Sequence, residues 1–223
     1  MNKRIKDNFN RFVIPFAFLL ILLDQASKLY IKGFNFFGIE HFGMFYGESI
    51  PFYKEMIRIT YIENPGMAFG IEFGAGKIFL SLFSVIAAIG LVYLLVKLNG
   101  FSKPIRIAFM FIFAGATGNL IDRVFYGVIF KDGPLFYGKV VDFIQVDIPD
   151  IKFFGAYYTH FPVFNVADSC VTIGVCLILI FNKYLPEFSD VFMKKQINGE
   201  TEVEKSESLL SDDLTTEKIN ETP

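Results

Sequence analysis

Tryptophan is absent from this 223-residue chain, histidine and cysteine occur twice each, and the 21 basic side chains nearly cancel the 23 acidic ones. A formal net charge of −2 offers no basic excess to a nucleic acid, so that class of partner drops out first. The two cysteines, Cys170 and Cys176, lie six apart in one apolar run. Residues six apart on a helix point to different faces, which argues against a bridge between them. His160 is the only histidine near them in sequence, so a catalytic thiol has little support and the cysteines read as packing groups.

What the chain does have is apolar surface. Hydrophobic residues make up 53% of it, 29 of them phenylalanine, a composition unlike that of a soluble domain. A bilayer-spanning helix needs about 20 mostly apolar residues. Four stretches qualify: Phe12–Ile31, Ile78–Leu98, Ile105–Ile121 and Phe164–Tyr184. The third is the shortest and most polar, carrying Gly115, Thr117, Gly118 and Asn119, and its Ala114 and Gly118 are spaced for close helix contact. "MNKRIKDNFNR" before the first stretch imitates a signal peptide. The long apolar run, and the lack of a small-x-small site in "DQASKLYIKG", mark it instead as a retained helix.

Basic residues set the orientation. Lys3, Arg4, Lys6 and Arg11 precede the first helix, Lys97, Lys103 and Arg106 flank the second turn, and Lys183, Lys194 and Lys195 follow the fourth helix. Both termini are therefore predicted on the cytoplasmic side, leaving Lys32–Lys77 and Asp122–Val163 outside. Within those segments "IRITYIEN" (Ile57–Asn64) and "KVVDFIQVDI" (Lys139–Ile148) have strand character. The predicted fold is an all-α membrane protein of four transmembrane helices, with a small sheet outside. Residues 1–195 form one domain, and the acidic stretch 196–223, poor in aromatics, is predicted to be a disordered cytoplasmic tail.

Ionisable groups inside spanning segments are costly and point to function by default. Asp24 and Lys28 sit four apart on the first helix, Asn119, Asp122 and Arg123 end the third, and Asn165 and Asp168 begin the fourth. Each group has an ordinary local reading. Asp24 and Lys28 form an i,i+4 pair with Lys28 snorkelling outward. Asp122 and Arg123 pair at a helix end. Asn165 and Asp168 make a capping arrangement. Together they suggest two carboxylates sharing a proton, one activating water while the other protonates a carbonyl oxygen. Asp168 would meet either Asp142, in "VVDFI", or Asp122. A proton-coupled transporter would place its acids nearer the midplane, whereas these cluster at one edge.

Five blocks, in order, carry a resemblance: "DQASK" (Asp24–Lys28), "NPGMAFG" (Asn64–Gly70), "GATGNLIDR" (Gly115–Arg123), "VVDFI" (Val140–Ile144) and "FPVFNVADS" (Phe161–Ser169). The chain resembles the bacterial lipoprotein signal peptidases, or signal peptidase II. The resemblance implies a membrane aspartic peptidase with four helices and a small extracytoplasmic β-cradle. It would act in the cytoplasmic (inner) membrane, with its active site near the outer leaflet. Its substrates would be diacylglyceryl-modified prolipoproteins, cut just before the lipidated cysteine. Membrane lipid is the other implied partner, no metal or organic cofactor is implied, and a monomer is expected. By motif the catalytic pair is Asp142 and Asp168. Asp24, Lys28, Asn64, Gly66, Asn119, Asp122, Arg123 and Asn165 are implied to support the site or position substrate. The helix dipole at Asp168 makes it the expected base.

The stretch "VFYGVIFKDGPLFYGKV" before Asp142, the first outer segment, Met67 and the acidic tail depart from the family pattern. Phe125, Phe130, Phe136, Phe153 and Phe154 are expected to pack within the outer sheet rather than touch lipid.

Overall fold

The computed structural model describes residues 10–54, 56–66, 76–98, 102–153, 156–187 and 191. The predicted tail 196–223, Met67, Phe154, and the basic residues Lys3, Arg4, Lys6, Lys194 and Lys195 lie outside these residues. The chain divides into a unit Met1–Tyr184 and a unit Leu185–Pro223.

Helix α1 spans Asn10–Lys32, α2 Gly76–Lys97 and α3 Lys103–Ile121. Pro104 stands in the first turn of α3, where its missing N–H costs no intrahelical bond. Past Ile121 the helix widens into a π-helical turn, Asp122–Tyr126, and resumes as the short α4, Gly127–Ile129. Phe12–Lys32, Ile78–Lys97 and Lys103–Ile129 are each long and apolar enough to cross a membrane. The first two match their predicted spans, while the third runs eight residues past its predicted end at Ile121, into the segment expected outside, because the helix continues through the π-helical turn and α4. The fourth, predicted over 164–184, contains α5, Val166–Ile180, and a 3₁₀ turn, Asn182–Tyr184. At 15 residues α5 is about 22 Å long, short of a hydrocarbon core of about 30 Å.

Strands β3 (Ser49–Tyr53), β4 (Ile57–Asn64), β5 (Val140–Phe153) and β6 (Ala156–His160) form one antiparallel sheet in that order. β4 has the predicted bounds, while β5 runs beyond its predicted end at Ile148. Pro51 is tolerated because β3 is an edge strand, and Pro149 coincides with the register shift between β5 and β6. A separate hairpin pairs β1 (Phe34–Phe36) with β2 (Ile39–His41).

Two apolar cores hold the unit together. Ala17 of α1 packs with Met110 and Ala114 of α3 within the helices. Ile31, Tyr61, Tyr126, Val141 and Phe143 join the C-terminal end of α1 to the sheet. Small residues let α3 lie close to both α5 and α1: a β-carbon at Gly174 would sit 2.7 Å from the Ala108 carbonyl oxygen, and one at Gly118 would sit 3.1 Å from Ala167 Cβ on α5 and 2.5 Å from Asp24 Oδ2 on α1. The predicted role of Ala114 and Gly118 in close helix contact is thus realised, with Ala114 in the core shared with α1.

The long stretch between Arg123 and Asp142 is ordered against the end of α3. Gly127 O accepts from the Asp132 and Gly133 amides, at 2.8 and 3.1 Å, and the Phe136 and Gly138 amides return to Val124 O and Arg123 O, both at 3.0 Å. Of its phenylalanines, Phe130 packs on the core between α1 and the sheet as expected, whereas Phe125 is exposed. The side chain of Phe153 falls outside the described residues.

Candidate active site

Strand β5 and the start of α5 are tied by backbone bonds. Phe143 N and Ile144 N donate to Phe164 O at 3.1 and 2.7 Å, and Phe164 N donates back to Ile144 O at 3.0 Å. Asp142 on the strand and Asn165 at the helix entrance are therefore neighbours although 23 residues apart. Asn165 is the N-cap: its Oδ1 accepts from Asp168 N at 2.9 Å, and Asp168 Oδ2 accepts from Asn165 N at 3.2 Å. This is the predicted capping arrangement. The cap's amide group does more: Asn165 Nδ2 donates to Asp142 Oδ1 at 2.7 Å, and lies 3.1 Å from Asn119 Oδ1 and 3.3 Å from Val141 O. One asparagine side chain contacts both Asp142 and the helical turn of Asp168.

Asn119, one turn before the π-helical segment, completes the link by donating from Nδ2 to Asp168 Oδ1 at 2.8 Å. Asn64 also hydrogen-bonds Asp142. Its own Oδ1 accepts from Gly66 N at 2.9 Å, and Gly66 takes a φ of +93°, which a side chain would strain. Asp142 is 3% exposed and Asp168 is half-buried, so the pair lies at a boundary between packed interior and solvent. Burial first, and then the charge of Asp168, push the Asp142 carboxyl up to about 7, against the opposing hydrogen bonds from Asn165 and Asn64.

A second layer lies beneath. Lys28 is fully buried and its ammonium meets Asp24 Oδ2 at 2.8 Å, Asp122 Oδ2 at 2.8 Å and Asn119 Oδ1 at 2.9 Å. Three acceptors match its three donors. The predicted i,i+4 pair with Asp24 exists, but Lys28 does not snorkel; a carboxylate and an amide from α3 and its π-helical end hold it inside. Likewise Asp122 pairs with Lys28 across helices instead of with its neighbour Arg123. Asp122 Oδ2 also accepts from Val141 N, 3.3 Å away, which anchors the strand one residue before Asp142. Asp24 Oδ1 accepts from Ala167 N at 2.9 Å, satisfying an amide in the first turn of α5.

Gln25 is a residue that sequence reasoning missed. Its Nε2 donates to Asp122 Oδ1 at 2.9 Å and lies 3.1 Å from both Gly118 O and Asp24 Oδ2, and its Oε1 accepts from Tyr126 at 3.1 Å. Its place inside "DQASK", between two ionisable residues of the same helix, was the available signal. Arg123 is close enough to Asp122, Asp142 and Asp168 to interact with all three, and its Nε has no hydrogen-bond partner. The π-helical turn widens the helix where Asp122 and Arg123 leave it, a feature frequent at functional sites.

All ten residues singled out in the sequence thus belong to one connected region: Asp142, Asp168, Asn165, Asn119, Asn64 and Gly66 around the carboxylate pair, Lys28, Asp24 and Asp122 beneath, and Arg123 alongside. No group of three or more histidine, cysteine or acidic side chains is arranged to hold a metal ion among the described residues. Cys170 is buried and Cys176 exposed, and both are free.

Comparison with known proteins points to one family. The model of the signal peptidase (SPase) II family matches residues 16–183. The lipoprotein signal peptidase of Pelodictyon phaeoclathratiforme is 37% identical over 169 residues, covering 75% of this chain and 88% of that protein. That of Porphyromonas gingivalis is 35% identical over 189 residues, covering 73% and 78%. A bacterial membrane enzyme solved by the in meso method at 2.3 Å superposes with a TM-score of 0.57 at 35% identity, over 75% of this chain and 85% of that one. With three helices of membrane-crossing length and such neighbours, this is an integral membrane protein. The chain belongs to the signal peptidase II family, the lipoprotein signal peptidases.

Proposed function

We propose that the chain is an aspartic endopeptidase that removes signal peptides from diacylglyceryl-modified prolipoproteins, cutting just before the lipidated cysteine, with Asp142 and Asp168 as the catalytic pair. The observation that carries this is the asparagine bridge: Asn165 donates to Asp142 and caps the turn that presents Asp168. Two carboxylates this closely coupled hold one proton between them, and the elevated Asp142 is the member that keeps it.

In the proposed reaction, water loses a proton to Asp168 as its oxygen attacks the scissile carbonyl carbon, while Asp142 gives its proton to the carbonyl oxygen. The tetrahedral diol then collapses. One hydroxyl proton returns to Asp142, the proton on Asp168 passes to the amide nitrogen, and the C–N bond breaks to give a carboxylic acid and an amine. Asn119 and Asn165 hold the two acids in register, Asn64 and Gly66 shape the turn beside Asp142, and Arg123 offers its free Nε–H to the substrate backbone. Lys28, Asp24 and Asp122 fix the helices from which these groups project. α5 and its 3₁₀ turn make the fourth crossing, starting below the outer membrane surface because the site occupies its entrance. Both termini face the cytoplasm, the sheet lies outside the inner membrane as the β-cradle, and the enzyme works as a monomer against the outer leaflet.

The test is a gel-shift assay with purified protein, a diacylglyceryl-modified prolipoprotein and its unlipidated form. The expected result is cleavage of the lipidated form only, reduced at least ~10²-fold in folded Asp142→Asn and Asp168→Asn variants. Cleavage surviving both substitutions would remove the pair from the chemistry.

A further inference from the structure

We propose that the β1–β2 hairpin is a lipid-binding element that lays its aromatic face and tip into the bilayer surface at the end of α1. β1 begins one residue after α1, whose 23 residues rise about 34 Å, enough to fill the hydrocarbon core. The hairpin therefore starts at headgroup depth.

It is also clamped there. Met44 N donates to Ile31 O at 2.8 Å, Gly33 N to Leu29 O at 2.9 Å, and His41 Nε2 bonds Tyr30 O at 2.9 Å. The His41 ring stacks on Tyr30 with centroids 4.7 Å apart. Gly33, at φ +81°, could not carry a side chain, since a β-carbon would meet the backbone of Gly43 and lie 2.9 Å from His41 O. The hairpin cannot swing away from the helix end.

Its two faces differ in kind. The register pairs Phe34 with His41, Asn35 with Glu40 and Phe36 with Ile39. Strand alternation then puts Phe34, Phe36, Ile39 and His41 on one face, with Asn35 and Glu40 on the other, where they bond each other at 3.4 Å. At the tip Phe37, with φ +53°, and Gly38, with φ +81°, make the turn, and the Phe37 ring is entirely exposed.

The apolar face continues into Tyr30, 67% exposed on α1, and is backed by the half-buried Phe130, just past the third spanning stretch and 6.1 Å from Phe36. It is thus continuous with the exposed apolar surface of α1, which an integral membrane protein turns to lipid. A pair of three-residue strands would be marginal in water with such a tip exposed, whereas an interface rewards aromatic groups at this depth. The hairpin has no lysine or arginine, so its attachment is apolar and insensitive to anionic lipid.

The natural absence of tryptophan supplies the assay. Full-length Phe37→Trp protein, reconstituted in phosphatidylcholine vesicles, carries one reporter at the tip, and Asn35→Trp carries one on the polar face. The expected result is blue-shifted emission from Phe37→Trp, strongly quenched by brominated lipid, little quenched by iodide, and unchanged when anionic lipid is added. Asn35→Trp should show the reverse quenching. Ile39→Trp repeats the apolar-face reading if the tip variant is not monodisperse. Iodide quenching of Phe37→Trp without bromolipid quenching would overturn the proposal, as would protection that appears only when a prolipoprotein is added. The readout needs no catalysis, so it stands or falls apart from the proposed peptidase activity.

Discussion

Replacing Lys28 by methionine keeps the length of the side chain and removes its charge and its three donors. In the wild type that ammonium is fully buried and contacts Asp24, Asp122 and Asn119 at 2.8–2.9 Å. Without it, two buried carboxylates face each other with only Gln25 donating to both. Removing one partner from a buried ion pair costs about 3–5 kcal/mol, because the remaining charge stays desolvated. For a chain of this size that lowers Tm by roughly 6–20 °C. The measurement is thermal unfolding in detergent followed by far-ultraviolet circular dichroism, and the cycle is completed by Asp122→Asn. Asp122→Asn alone breaks the same network. Combined with Lys28→Met, it should recover about 0.5–3 kcal/mol relative to the sum of the single effects, since the unmatched charge has gone. Lys28→Met within about 1 kcal/mol of wild type, or strictly additive effects, would refute the buried hub and return Lys28 to a snorkelling role.

Two further expectations concern pH. With Asp142 raised to about 7 and, in the proposed reaction, acting as the proton donor, cleavage should fall as pH rises through about 7, because the acid form is lost; a rate rising through that window would reverse the proposed roles. In the four-stranded sheet, burial alone would raise Glu63, but hydrogen bonds from Lys32, Tyr61 and Lys139 outweigh it and lower it from 4.5 to about 2. A depressed carboxylate stabilises the fold above its unfolded pKa and loses that contribution as pH falls through the folded one. The shift corresponds to about 3 kcal/mol lost between pH 4.5 and 2. Acid unfolding should show that loss in wild type and lack it in Glu63→Gln, and equal acid slopes would deny Glu63 the role.

The parts of this architecture that follow local rules were legible in the sequence. Three apolar runs became helices at nearly their predicted bounds, because hydrophobic length alone specifies them. Ile57–Asn64 became β4 because alternation and the "NPG" turn both mark it. The Asn165–Asp168 cap was legible for the same reason, as both partners lie within one turn. The β1–β2 hairpin was not, since three-residue strands are too short for alternation to register. Lys28 was misjudged because its outcome depends on acceptors distant in sequence: Asn119 is 91 residues away. Local spacing proposes an exposed pair, and only the packing of α1 on α3 supplies what makes burial tolerable.

The same contrast explains how ordinary structural devices come to surround an unusual pair of acids. A cap normally satisfies amides at a helix start, and Asn165 does so for Asp168 N. Here the capping residue has a second hydrogen-bonding group, and the strand paired to Phe164 places Asp142 against it. Asp24 satisfies a neighbouring amide of the same helix, Ala167 N, while holding Lys28. Lys28 in turn holds Asp122, which grips Val141 N beside Asp142. Each acid of the proposed pair is therefore positioned from two directions, by the cap above and by the buried lysine network below. A substitution at Lys28, remote from substrate in this scheme, should reduce cleavage through the placement of Asp142 as well as through stability. That effect should appear in kcat, measured below the unfolding temperature, more than in KM.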